Sequence, residues 1–505
     1  MHRRRLALLI LGLLGVAMAL VWAALELEQP ASTEDLEKLT GTDWYSVRVL
    51  GKPAGYACVQ GEVVATPQGP RLRVTEDVKV LISLAGQQLE ASKSQVTHYD
   101  EMLRPTEIEL VKDELGRSVE IVTRLTGREL EITRTAGGRV ETRTETVSDD
   151  FASDIIIALK AARGELKVGD EFEFEAYEPE IDILDRHHAV VERQETLDDG
   201  TPVLVIKATS EKLGIEAVSL LDEQGRLRRQ TVPGLMDLTM ERVTEEEALA
   251  ALSPLEISSK IAVEGRLPSP SQLREVRLRI TRRVGPAADL IPATRRQRIE
   301  ADGEDAVVII AAEQPGAEGV TFPIEDETVA EYLEPTSAAQ SDDPRIVEKA
   351  RAIVGEETDA WLAATKLLGW VRDNMQKVSS EPRPITALEC LDAMKGDCTE
   401  HAILLAALAR AAGLPCKLCT GLAYVGGGFG YHAWNEIYVG RWVEMDPSWG
   451  QPAVDAAHLQ LSSSSLDEAS MARNSLATGR TMGTIEITLL GYVRADGEEV
   501  DLTEG

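Results

Sequence analysis

The chain has 505 residues, 43% hydrophobic and 27% charged, globular values that exclude wholesale disorder, a collagen repeat and a many-span membrane protein. At about 100 to 200 residues per domain it holds about three compact units. Its 85 Asp+Glu against 53 Lys+Arg give a formal charge of -32, which repels phosphate backbones, so no nucleic-acid partner is expected.

Arg3, Arg4 and Arg5 precede an apolar run from Leu6 to Leu25 without one charge. At about 1.5 Å per helical residue the run is about 30 Å long, enough to cross a bilayer. Residues 1–29 therefore read as a signal anchor, with Ala17-Met18-Ala19 offering a cleaved signal peptide as the alternative. The leading arginines keep their end cytoplasmic, so everything after Glu26 is expected outside, in a periplasm or at a cell surface.

From about Asp43 to Arg242 the text alternates with the two-residue period of strands. Glu171-Phe172-Glu173-Phe174-Glu175-Ala176-Tyr177 puts apolar side chains on one face and carboxylates on the other. Turn signals near Gly116, Gly137, Gly200 and Gly225 suit antiparallel hairpins, and one helix is predicted from Ser153 to Arg163. This is a β-rich domain over 30–250. Further strands near 256–263, 275–281 and 306–311 suggest a smaller β-rich domain over 251–312. Pro315, Pro323 and Pro335 then interrupt any long helix, and 313–342 reads as a linker. A helix start at Asp343-Pro344 and five of the seven tryptophans between Trp361 and Trp449 mark a third domain over 343–460 with a denser core. The rest, 461–505, reads as a serine-rich loop and one last strand, Ile485 to Leu490. The fold class is multidomain α+β.

Five cysteines in an exported chain invite disulfides, but the odd count leaves at least one thiol over. Cys416 and Cys419 fall in a predicted strand. There, at about 3.3 Å per residue, their Cα atoms are about 10 Å apart on opposite faces, beyond the reach of about 7 Å for a disulfide. They read as packed residues or as partners for Cys58 and Cys390. No second cysteine pair or histidine pair accompanies them, and no spaced acidic loop occurs, so neither a metal nor a cofactor is expected.

The stretch that carries chemistry is Gly396-Asp397-Cys398-Thr399-Glu400-His401-Ala402, opening a helix apolar nearly all round until Gly413 and Pro415. Asp397 is a plausible N-cap. It places Cys398 in the first turn, where unpaired N–H groups and the helix dipole favour a thiolate and can depress its pKa below the usual ~8.5. His432 stands in an apolar strand, Tyr431 to Val439. Asp446 follows before Pro447, one turn away through Gly440-Arg441, so adjacent antiparallel strands bring the two side by side. The three supply a nucleophile, a base and a carboxylate to orient the base, the set that acyl transfer needs. His401, three positions after Cys398, is expected to support the site from behind or to be structural, because the strand histidine has the carboxylate partner. The glycines from Gly426 to Gly430 read as a flexible rim beside the histidine rather than a phosphate loop.

The Gly-Asp-Cys opening, Arg410-Ala411-Ala412-Gly413-Leu414-Pro415, His432-Ala433-Trp434 and Asp446-Pro447-Ser448 together resemble the transglutaminase-like superfamily, whose core is papain-like. The resemblance spans about Asp343 to Gln460. It implies Cys398 as nucleophile, His432 as general base and then acid, and Asp446 as orienter. It also implies a protein or peptide substrate whose glutamine side chain or backbone amide is attacked to form a thioester. The cysteines at 416 and 419 depart from the family pattern. The Cys398 backbone N–H is the natural first oxyanion donor, and Trp361 or Trp370 would be the indole candidates for a second. The same triad serves a cysteine peptidase or amidase, and a non-catalytic cell-envelope binding module is the reading from another class.

Overall fold

The computed structural model describes residues 27 and 29–503, apart from 85–86, 114–117, 137–138, 153–154, 251–253, 259, 284, 318 and 379–385. The apolar run 6–25 lies outside the described residues; among those described, no helix is long and apolar enough to cross a membrane. The chain divides into two compact units between Ile257 and Ser258.

The N-terminal unit is one large sheet built from hairpins. Eight strands from Gly41–Val49 to Arg139–Thr146 form one meander, and six from Glu171–Glu178 to Leu238–Val243 form another. Their ends join where Gly41–Val49 pairs antiparallel with Leu238–Val243, Trp44 opposite Val243. Short turns explain the meanders: the Gly200 N–H reaches Leu197 O at 2.9 Å, and the Gly225 N–H reaches Asp222 O at 2.9 Å. Glu171–Glu178 alternates exposed carboxylates with buried Phe172 and Phe174, as its period requires. The helix read at 153–163 is Ile155–Ala162, buried on most sides, with its first two expected residues outside the described set.

The C-terminal unit is a second, mixed sheet covered by helices. Its strand order is Gln297–Asp302, Asp305–Ala311, Leu273–Arg282, Ile485–Arg494, Lys260–Glu264, Gly428–Tyr438, Cys416–Val425, His458–Ser464. The strands over 260–311, which the sequence reading sets apart as a smaller domain, thus share one sheet with the strands of the third. Lys260–Glu264 splices them, antiparallel to Gly428–Gly430 and parallel to Ile487–Thr488. Ile485–Arg494 closes this sheet by pairing with Leu273–Arg282.

Helices Pro344–Val354 and Ala360–Asn374 start at the N-caps Asp343 and Asp359 and are broken at Gly355, which has φ 65°. With Ala387–Ala393 and Cys398–Ala411 they enclose the main core, to which Ile346, Leu367, Leu404, Leu408 and Ile437 contribute. The segment read as a linker belongs to that core: Ile324, Val329 and Ala339 are buried in it, and the Ile324 N–H donates to Gly413 O at 2.9 Å. One helix, Glu468–Thr481, has no counterpart in the sequence reading. Its inward face includes Ser470, Asn474 and Thr481, all buried and hydrogen-bonded. Polar residues on the buried face erase the apolar period by which such a helix is recognised.

Candidate active site

Cys398 opens the helix Cys398–Ala411, whose residues from Cys398 to Arg410 are all buried. Asp397 caps it. Its side chain accepts from the Thr399 N–H at 3.1 Å, while the Glu400 carboxylate turns back to take the Asp397 N–H at 2.7 Å. That return path explains the glycine before Asp397, because a Cβ at Gly396 would stand 2.3 Å from Glu400 Cβ. His401 holds the same turn, its Nδ1 lying 2.5 Å from Asp397 O.

His432 lies on Gly428–Tyr438, and one edge of that strand is shared between two partners. Lys260–Ala262 pairs with Gly428–Gly430, and Trp442–Met445 pairs with Asn435–Tyr438. His432 and Ala433 fall in the interval, where no strand among the described residues covers the edge. Here the Ala433 N–H donates to Cys398 Sγ at 3.3 Å. The gap in the ladder thus admits the sulfur beside the residue next to His432.

Asp446, fully buried, follows Trp442–Met445. Its Oδ2 accepts from His432 Nε2 at 2.7 Å, and its Oδ1 takes the N–H groups of Ser448 at 2.7 Å and Trp449 at 3.1 Å. His432 Nδ1 is then the nitrogen left to take a thiol proton. Two indoles hold the ring: Trp449 stacks on it at 4.4 Å between centroids, and Trp434 lies nearly parallel at 6.1 Å. Trp434 is anchored in turn, its Nε1–H donating to Glu444 Oε2 at 2.8 Å, and Glu444 is gripped by Arg296 at 2.8 and 2.6 Å. Cys398, His432 and Asp446, singled out in the sequence, are therefore brought together. Trp361 and Trp370 have other neighbours: the Trp361 ring packs against Gly316, and Lys349 Nζ lies 5.2 Å over Trp370.

Burial governs the site's charge. It pushes the Cys398 thiol up to about 12, reinforced by the Asp446 charge and only partly opposed by the Ala433 N–H. The helix start alone would predict the reverse; in a closed pocket desolvation of the anion prevails over the dipole. Burial likewise lowers the pKa of His432, although Asp446 pulls the other way. For Asp446, burial favours the neutral acid, but the charge and hydrogen bond of His432 outweigh it and hold the carboxyl well below its usual range. The resting pair is accordingly thiol and neutral imidazole.

A second histidine is absent from the sequence reading. His458 opens the strand His458–Ser464, and its Nε2 lies 3.5 Å from the same Asp446 Oδ2. His432, Asp446 and His458 offer ligand atoms within 4.8 Å of one another. A metal there requires both imidazoles neutral, whereas two carboxylates face His458 and favour its protonated form, Asp455 through a hydrogen bond with Nδ1 and Asp446 across 3.5 Å from Nε2. No disulfide joins any of the five cysteines. Cys416 packs in the core under the helices and Cys419 against Trp434 and Val454, so the two occupy opposite faces of their strand and pair with neither Cys58 nor Cys390. The glycines read as a flexible rim form a tight turn at Gly426-Gly427 and then a strand covered by Lys260–Ala262, so that edge is occupied.

No curated protein matches the chain. Solved structures similar to it include a candidate cysteine protease from Cytophaga hutchinsonii, 17% identical, with TM-score 0.31, covering 43% of this chain and 81% of that one. Another is a β-barrel-like protein of the domain of unknown function DUF1849 from Brucella abortus, 14% identical, TM-score 0.30, covering 40% and 93%. A third is the periplasmic domain of TgpA from Pseudomonas aeruginosa, bound to ethylmercury, 17% identical, TM-score 0.26, covering 38% and 89%. At these scores none of them decides the chemistry. The family evidence lies in one segment: residues 347–447, which include Cys398, His432 and Asp446, match the transglutaminase-like superfamily.

Proposed function

We propose that this protein is a membrane-anchored, extracytoplasmic cysteine acyltransferase that acts on glutamine side chains or backbone amides of a protein or peptide through a thioester. The supporting observation is the pairing of His432 Nε2 with Asp446 Oδ2 at 2.7 Å beside a sulfur that rests on the next residue's N–H. Anchoring and export rest on the arginines and the apolar run that follows them.

The thiol and imidazole start neutral, so attack is base-assisted. Sγ forms a bond to the amide carbon as its proton passes to His432 Nδ1, and Asp446 stabilises the imidazolium through Nε2–H. The negative charge on the carbonyl oxygen would be taken by the helix start, with the Cys398 N–H as the natural first donor. On collapse the C–N bond breaks, and the departing amine takes the proton back from His432. An amine then resolves the thioester by transfer; water resolves it as a peptidase or amidase would.

The test incubates the full chain with a glutamine-bearing protein and a tagged alkylamine. Tag incorporation that Cys398→Ala abolishes is the expected result. New fragments without incorporation would favour the peptidase reading. Neither product, with Cys398 alkylation by iodoacetamide unchanged in His432→Ala, would refute both and leave the binding module.

A further inference from the structure

Asp446 serves two imidazoles. Beyond His432 stands His458, fully buried, with Nε2 3.5 Å from Asp446 Oδ2 and Nδ1 2.9 Å from Asp455 Oδ1. Asp455 is itself held, by Gln451 Nε2 at 2.9 Å and the Ala457 N–H at 3.0 Å. Nδ1 hydrogen-bonds Asp455, while Nε2 faces Asp446 across 3.5 Å without a hydrogen bond; with a carboxylate on each side, the charged ring is favoured over a neutral one that would turn a lone pair toward one of them. The His458 ring is confined by those of His432 at 5.8 Å, Trp434 at 5.3 Å and Trp449 at 5.2 Å. Neither Asp455 nor His458 lies in the segment that matches the family, which ends at 447.

We infer that His458, oriented by Asp455, is a positioning residue of the reaction: a buried cation that keeps Asp446 ionised and keeps His432 neutral until the thiol proton arrives. This rests on the proposed roles of Cys398, His432 and Asp446. The remaining charges around His458 fit it. Glu444 is taken by Arg296, whose Nη2 also donates to His458 O at 3.2 Å. Lys377, 6.0 Å over the Trp449 ring, is a further cation opposing the charging of His432. Burial would lower the pKa of His458, but Asp446 and Asp455 prevail and raise it to about 9, so the cation persists through neutral pH.

The test is the pH profile of Cys398 alkylation by iodoacetamide in the full chain, read on the Cys398 peptide by mass spectrometry. A unit charge at 5.8 Å, screened by an effective dielectric of about 20 to 40, is worth about one to two pH units. His458→Gln removes it, so the acidic limb is expected to move up by that amount. Asp455→Asn, which lets His458 lose its proton earlier, is expected to move it the same way by less. A purely structural histidine would change amplitudes and leave the limb in place. An acidic limb that disappears in His432→Ala yet stays within about 0.3 unit of wild type in His458→Gln and Asp455→Asn overturns this inference alone. A limb that survives His432→Ala overturns the proposed function instead. Should His458→Gln fail to fold, Asp455→Asn decides.

Discussion

Replacing Arg296 by Met tests whether the charged layer beneath the site has the strength its geometry implies. Arg296 is 4% exposed, bidentate to Glu444, and also donates to Ala311 O and His458 O. The substitution leaves Glu444 buried with, among the described residues, the Trp434 indole as the remaining strong donor to its side chain. Breaking such a pair from one side costs about 3 to 5 kcal/mol, and in a unit of this size each kcal/mol moves the midpoint by about 2 to 4 °C, so a fall of about 10 °C is expected at pH 7.5. Tryptophan fluorescence reports the right unit, since five of the seven tryptophans lie between Trp361 and Trp449. The deficit should also depend on pH. Burial favours neutral Glu444, but Arg296 outweighs it and holds the carboxyl below its ordinary value. The stability it contributes is therefore present above about pH 4.3 and lost as the pH falls through the folded value. Without Arg296 the carboxyl binds its proton at higher pH, so the gap to wild type narrows toward pH 4.5. Arg296→Met/Glu444→Met, which removes both charges, should recover most of the loss. A single-variant midpoint within about 3 °C of wild type, or a deficit that is flat in pH, would refute the reasoning.

Asp446→Asn keeps the shape but removes the charge that stabilises the imidazolium; amine incorporation should fall about 10³- to 10⁴-fold, and a loss under tenfold would count against the triad. Gly421→Ala should lower stability by about 3 kcal/mol in denaturant unfolding, because its Cβ would stand 2.1 Å from Leu459 O and 2.7 Å from the Trp434 ring; a neutral effect would mean the pairing of His458–Ser464 with Cys416–Val425 is misread. Stability of the C-terminal unit should drop by about 3 kcal/mol as pH rises from about 6.5, the unfolded value of histidine, through the folded value of about 9 for His458. Asp446 and Asp455, both depressed, act in the opposite window: their contribution is present above about pH 4 and lost on further acidification. A profile flat from pH 6 to 10 in wild type, or unaltered in His458→Gln, would contradict the buried imidazolium.

The three groups of the candidate site were legible because each carries a local signature. Asp397 announces a helix start at Cys398, His432 interrupts an apolar strand, and Asp446 closes the next strand before Pro447. The half-wet hairpins of the N-terminal unit were legible for the same reason, since a period of two and a glycine turn are properties of neighbouring residues. Their alternation alone determines which face of each strand is buried. His458 and Arg296 bear no such mark. A lone histidine heading a serine-rich strand, or an arginine in Thr-Arg-Arg-Gln, acquires meaning only when sheet pairing sets Ala423 beside His458 and when Glu444 arrives from a strand well over a hundred positions away.

Residue order thus determined the elements and the identities of the groups in the candidate site, through caps, periods and turns that act over a few positions. Tertiary structure alone decided their ionisation and company. Burial set the Cys398 thiol high where its helix position favours a low value, a break in strand pairing let the sulfur in beside His432, and a second imidazole came to rest on Asp446. The physical reason is range: hydrogen-bonded caps and side-chain alternation are local, whereas desolvation and Coulomb interaction depend on every group that packing draws within a few ångströms.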